Sequence, residues 1–317
     1  MTNLKKIGLT ALAGTLAATT FAQAGTVDVT AKANMEYETN KATNKLSDDT
    51  FFSNKSVTFS GSGELDNGFG VSMYHTFDEQ VSVESSVVTL DMNDMGKITM
   101  DYFGYVAGLA SVQDVVPNAG EQVWDDTGSG EHGTPAAGVT NPHADGSGHE
   151  LGYTVSANGI TLSTTLAFAG DHTEETAVIM ADGLVEGLMI GAGAGTNQNA
   201  TRQTEEDDLT TYFVKYTTGP ISVGAQQSEV DTQAAGNGVE RTAYGISFAV
   251  NENLSISYGQ SDVDFDASTT DEESKGFSAS YTSGGMTVGF VRNEKDNVAG
   301  TSGDNEEVAE LKLTFAF

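Results

Sequence analysis

With 45 Asp and Glu against 14 Lys and Arg, this chain of 317 residues carries a net charge of −31, and it lacks the basic surface that binding to a phosphate backbone demands. It contains no Cys, which excludes a disulfide framework and a thiol nucleophile. Mean hydropathy is −0.25, and no apolar run reaches the ~20 residues of a spanning helix. Low hydropathy does not exclude a membrane-spanning sheet, because apolar and polar side chains alternate along such strands and cancel in any window.

In chain order, the first segment reads as a secretory signal. Lys5 and Lys6 form a basic stub, 7–21 is a mostly apolar run of small residues, and Ala22-Gln23-Ala24 is a small-x-small cleavage site. Residues 1–24 are expected to be removed, leaving 25–317 as the working domain. The segment 25–40 is the clearest strand. Val27, Val29, Ala31, Ala33, Met35 and Tyr37 take one face, and Asp28, Thr30, Lys32, Asn34, Glu36 and Glu38 take the other. That period of two excludes an amphipathic helix.

The alternation recurs. Val57 and Phe59 lead across Asp66-Asn67-Gly68 to Val71 and Met73, and Val88 and Leu90 lead across 93–96 to Ile98 and Met100. Leu151 and Tyr153 are followed by Asn158-Gly159 and then Ile160 and Leu162. Tyr212 and Val214 meet Ile221 and Val223 across Gly219-Pro220. Ile246 and Phe248 meet Leu254 and Ile256 across 251–253, and Phe277 and Tyr281 meet Met286 and Val288 across Gly284-Gly285. These joints have hairpin chemistry. Longer polar connections fall at 41–54, 104–148, 197–208, 231–240, 264–274 and 293–305. Short turns alternating with long loops mark the two rims of a transmembrane antiparallel β-barrel. The expected count is sixteen strands, with fourteen as the alternative. The ambiguous stretch is 174–195, divided here at a turn near Asp182-Gly183. The acid runs at 205–208, 271–273, 304–307 and 125–126 read mainly as solvated loops. The glycines Gly187, Gly191, Gly193 and Gly195 lack the strand–turn–helix setting of a nucleotide loop and suggest close approach at a subunit contact or a bulge.

The last segment is the most specific. Leu311, Leu313, Phe315 and Phe317 share one face, opposite Glu310, Lys312 and Thr314.

The Ala-x-Ala site running directly into a strand, the closing Leu-x-Leu-x-Phe-x-Phe, and one long loop after the fifth strand together resemble the Gram-negative general porins, particularly the alphaproteobacterial type. The resemblance covers all of 25–317. It implies a homotrimeric, water-filled outer-membrane channel for passive diffusion of ions and small hydrophilic solutes. A substrate-selective outer-membrane channel is the alternative. The set Leu311, Leu313, Phe315 and Phe317 is similar to the signal read by the barrel-assembly machinery. Outer-membrane lipid and lipopolysaccharide are the further partners implied.

In that family the loop after the fifth strand folds into the barrel and narrows it. By this resemblance Asp114, Glu121, Asp125, Asp126 and Glu131 supply negative charge to the constriction. Trp124, the only tryptophan, sits among them and reads, as a lone large aromatic, as a packing anchor that holds the loop against the wall. The family sets such acids against a basic cluster, and this chain departs from that pattern. Arg202, Arg241 and Arg292 are its only arginines and do not cluster. By strand parity Lys32, Lys97, Lys215, Arg241 and Lys312 face inward. An acid-dominated lumen favours cations. No cofactor is expected, apart from a weak calcium site at Asp262, Asp264, Asp266 and Glu273, which match part of a calcium-loop register with Ala267 where Gly belongs. No catalytic motif is present, and the expectation is a channel rather than an enzyme.

Overall fold

The computed structural model describes residues 25–43, 48–102, 106–113, 115–124, 149–169, 172–198, 206–233 and 238–317. The signal segment 1–24 and four of the loop acids, Asp114, Asp125, Asp126 and Glu131, lie outside the described residues. Sixteen strands follow one another: β1 (Thr26–Ala42), β2 (Asp48–Glu64), β3 (Gly70–Phe77), β4 (Val83–Asp91), β5 (Lys97–Tyr102), β6 (His149–Ala157), β7 (Ile160–Ala169) and β8 (His172–Val185). The second half is β9 (Leu188–Gln198), β10 (Glu206–Thr218), β11 (Ile221–Asp231), β12 (Val239–Ala249), β13 (Leu254–Phe265), β14 (Glu272–Ser283), β15 (Met286–Asp296) and β16 (Glu306–Ala316).

Each strand pairs antiparallel with its sequence neighbours, and β1 pairs with β16 to close the barrel. The seam runs from Lys32 opposite Ala316 to Ala42 opposite Glu306. Beyond it, the Phe317 N–H donates to the Ala31 carbonyl (2.9 Å) and the Ala31 N–H to the Phe317 carbonyl (3.1 Å). Closure leaves the sheet with no unpaired edge, which the membrane interior would penalise.

The packing is the reverse of a soluble protein's. Along β13 the apolar Ile256 and Tyr258 point outward, with Tyr258 50% exposed, while Ser257 and Ser261 face the interior and are buried. Tyr212, Tyr244, Tyr281, Phe277 and Phe290 are likewise exposed on the outer wall. An outward apolar band with aromatic residues suits lipid contact.

The predicted turns at Asn158-Gly159, Gly219-Pro220 and Gly284-Gly285 all join strands, and each contains a residue with positive φ. Three boundaries differ from the sequence reading. The turn after β8 lies at Glu186-Gly187 rather than Asp182-Gly183. Gly183 (φ 83°) instead sits in a register shift between Asp182 and Val185, a bulge that lets β8 continue. The connection expected over 41–54 is much shorter, because β1 runs to Ala42 and β2 starts at Asp48. Several acids assigned to loops are strand residues. Asp207, Glu272 and Glu306 are buried on the inner face of β10, β14 and β16.

Candidate functional site: the loop-lined lumen

Between β5 and β6, residues 106–113 and 115–124 lie inside the barrel against its inner wall. Its start forms a short 3-10 turn, Gly108–Val112. The Gly108 N–H donates to Ser163 Oγ on β7 (3.0 Å), and the Leu109 N–H donates to Thr176 Oγ1 on β8 (3.0 Å). Farther round, Gln226 Nε2 on β11 donates to the Val112 carbonyl (2.7 Å). The Ala119 N–H donates to Ser257 Oγ on β13 (2.9 Å), and Asn293 Nδ2 on β15 donates to the Gln122 carbonyl (3.2 Å). Short polar side chains on the inner wall thus satisfy backbone groups that would otherwise be buried unpaired.

Two apolar clusters hold the same segment. Leu109, Ala110, Val112 and Val115 pack with Val178, Leu209 and Phe213 of the wall, and Val116, Val123 and Trp124 pack with Ala243. The wall makes room for them with glycines. Gly224, Gly245, Gly259 and Gly276 stand opposite one another in one unbroken row across β11, β12, β13 and β14. A Cβ at Gly224 would lie 2.7 Å from Pro117 Cδ, at Gly245 2.5 Å from Val116 Cγ1, and at Gly259 2.8 Å from Val123 Cγ1. On β9, Gly193 faces Leu109 in the same way, so this glycine of the run seats the loop. This row was missed in the sequence. Its signal was available: mid-strand glycines of inward parity on four successive strands.

At Glu121 the loop reaches an ionic cluster on the seam strands. Lys312 Nζ on β16 donates to Glu121 Oε1 (2.6 Å), and lies 3.2 Å from Glu310 Oε1 and 3.5 Å from Glu36 Oε1 on β1. Three carboxylates therefore surround one ammonium at the middle of β16. The structure brings Glu121 and Lys312 together, a pairing the sequence reading did not specify. Glu36 and Glu310 were overlooked, although alternation had already placed both on the polar face.

The other predicted wall cations behave differently. Arg241 faces inward but is 1% exposed, with its guanidinium 3.8 Å from the centre of the Trp124 ring. It belongs to the seat of the loop, not to the open lumen, because the indole covers it. Trp124 is the anchor the sequence suggested. Lys295, which the sequence reading did not single out, is also withdrawn. It pairs with Glu272 at 3.4 Å with both side chains buried, and Glu272 also accepts the Ala299 N–H (2.8 Å). Lys32, Lys97 and Lys215 face the lumen near the short-turn rim, away from the Glu121 cluster. Lys97 there pairs with Asp91 (3.1 Å).

The calcium-loop register falls on a strand. Asp262 and Asp264 project from the same outer face of β13, ~7 Å apart along the chain, and Asp262 stands opposite Glu273 of β14. Asp266 continues past the strand end beside Gly238. Among the described residues no group of three acidic or histidine side chains is arranged to hold a metal.

A family model described as Gram-negative porin matches residues 8–315. No curated protein sequence matches the chain. Among solved structures, the anion-selective porin from Comamonas acidovorans superimposes with a TM-score of 0.68 at 13% identity, covering 93% of this chain and 100% of that one. Vibrio cholerae OmpT in its trimer form gives 0.63 at 15% identity over 93% and 100%. A Rhodopseudomonas blastica porin variant gives 0.59 at 14% over 92% and 100%. At these identities the structures speak for the fold.

Proposed function

This chain belongs to the Gram-negative porin family and forms an outer-membrane channel, and from that premise we propose that the channel is a diffusion porin that favours cations. One observation carries the sign of the preference. At the loop tip Glu36, Glu121 and Glu310 outnumber Lys312, while Arg241 and Lys295 are covered by Trp124 and paired with Glu272. The fold does not decide the sign, since the anion-selective Comamonas porin shares it. Asp114, Asp125, Asp126 and Glu131 belong to the same loop and are read as adding to its negative charge.

The functional unit is read as a homotrimer. The Lys55–Glu79 ion pair (3.1 Å) supports this: Lys55 stands opposite Ala33 and faces outward between Phe51 and Val57 on its strand, where hydrocarbon is a poor solvent for an ion pair and a neighbouring subunit a good one. Above the aromatic band, outward acids stand directly opposite one another, as at Asp208 and Asp231, Glu229 and Glu240, and Asp262 and Glu273. Like charges so placed are destabilising unless counterions lie between them. Loosely held divalent cations bridging to anionic lipopolysaccharide are the reading for this belt. Residues 1–24 serve as the export signal, and Leu311, Leu313, Phe315 and Phe317 as the face read by the barrel-assembly machinery.

The test is single-channel conductance of detergent-purified protein in a planar bilayer under a KCl gradient. Triplet insertions with a cation-favouring reversal potential are expected. Triplets with an anion-favouring potential would overturn the reading of the lumen charge.

A further inference from the structure

We propose that the lumen wall below the loop binds neutral, hydroxyl-rich ring solutes, carbohydrates in chemical class, so that the channel holds sugars in passing instead of only letting them diffuse. This rests on the reading of the barrel as a water-filled channel.

The first ground is a set of uncharged polar rows. Thr282, Thr287, Thr314, Asn34 and Asn54 stand opposite one another in turn across β14, β15, β16, β1 and β2, all on the inner face. A second row runs from Thr217 on β10 to Ser278 on β14, and a third from Thr26 on β1 to Thr99 on β5. Every position in these two is Ser or Thr. In a chain with 45 acidic residues, rows free of charge across five adjacent strands depart from the composition. Each row begins beside the short-turn rim with a hydroxyl–hydroxyl bond: Thr282 with Thr287 (2.9 Å), Thr217 with Ser222 (2.8 Å) and Thr26 with Ser62 (3.0 Å). The second row climbs to Ser257 and Ser278, whose hydroxyls accept the Ala119 N–H of the loop.

Neighbouring positions in a row lie ~4.8 Å apart. A hydroxyl has one donor and two acceptor lone pairs, so a bond within the row leaves capacity for a solute. The complement of such a wall is a molecule that itself offers donors and acceptors at short intervals. A simple ion gains nothing there that water does not supply.

The second ground is Phe52. It follows the first row's last member by two residues on β2 and shares its face. Phe52 is 42% exposed, because pairing of β2 with β3 stops at Val57 and leaves the ring without a strand beside it on that side among the described residues. An aromatic face left open on a wet, polar wall is apolar surface still available for burial. A sugar ring has a C–H face to lay on it and a rim of hydroxyls to reach the row. Few well-placed polar groups beside an aromatic ring are how small-molecule sites fix orientation. Glu36 stands opposite Phe52, and with Glu121 and Glu310 it repels sugar acids and sugar phosphates, so the solute is neutral.

The test uses the mature protein in planar bilayers carrying K+ current, with cellobiose as probe and a polyethylene glycol of matched hydrodynamic size as control. A saturable fall in current with cellobiose is expected, whereas the glycol should lower it only in proportion to concentration, through viscosity. The half-saturating concentration should rise several-fold in Phe52→Leu and in Thr314→Val. Each replacement keeps an inward side chain of similar size, and either gives the answer should the other fail to assemble. Conducting, cation-favouring channels whose current falls with cellobiose only as it does with the glycol would overturn this inference alone. So would equal saturation by the glycol, or unaltered saturation in both variants. Protein that inserts without conducting would overturn the channel reading and this inference with it.

Discussion

Replacing Lys312 by Met isolates the electrostatic role of the loop-tip cluster. The methionine keeps an unbranched apolar stem in place of the lysine's and removes one positive charge from among Glu36, Glu121 and Glu310. For an ion passing about 5 Å from the vacated ammonium through water, a unit charge is worth ~0.8 kcal/mol, and screening at physiological salt roughly halves that. The cation gains this energy and the anion loses it, so their difference is ~0.8 kcal/mol, about a fourfold increase in the cation-to-anion permeability ratio. The assay is the reversal potential under a KCl gradient at about 0.15 M mean salt, compared with the parent channel. Unit conductance recorded alongside reports whether the loop has moved. A folded Lys312→Met channel with unchanged conductance and an unchanged or anion-shifted reversal potential would refute the placement of these carboxylates on the ion path.

Other consequences follow from the same geometry. Gly245→Leu forces a side chain into the space of Val116 and Pro117, where even a Cβ would lie 2.5 Å from Val116 Cγ1. Overpacking of this kind costs ~1–3 kcal/mol, and the loop should lift locally while the barrel stays heat-resistant on gels; higher unit conductance is the expected outcome. Raising mean salt from 0.1 M to 1 M shortens the Debye length from ~10 Å to ~3 Å, so the cation preference should fall markedly, as measured by reversal potential at a fixed gradient ratio. Phe317→Ser keeps the two backbone hydrogen bonds to Ala31, and because Phe317 is 78% exposed little packing is lost. The expected result is a sharp fall in folded protein reaching the outer membrane of cells, with near-normal thermal stability of whatever is purified.

The barrel was legible because its rule is local. Alternation at Val27 to Tyr37 and at Leu311 to Phe317, broken by Asn-Gly and Gly-Gly turns, needs no knowledge of distant residues. It also assigned Lys312, Arg241, Glu36 and Glu310 to the inner face. What alternation could not tell was which inner-face residues the loop would cover. Arg241 and Lys312 both face inward, yet one is capped by Trp124 and the other meets Glu121, because neighbouring residues of the loop reach β12 and β16 respectively. The bulge at Gly183 misplaced the turn after β8 for a related reason, without altering the strand count: a positive-φ glycine serves a turn and a bulge equally well, and only the paired strand decides between them.

The acidity of the chain divides into two populations with different physics. The outward acids near the long-loop rim, such as Asp208, Glu229, Asp264 and Glu273, sit where solvent and counterions can neutralise them. Charge of that kind suits a saline exterior and need not govern what passes through the pore. Glu36 and Glu310 are different, being 7% and 2% exposed. A carboxylate out of water costs free energy unless it is paired, and here one lysine serves both of them together with Glu121. A general drift toward acidic surfaces would not place carboxylates where hydration is lost and partners are scarce. Their position between the seam strands and the loop tip, on the path the glycine row opens for that loop, ties this part of the acidity to the channel itself.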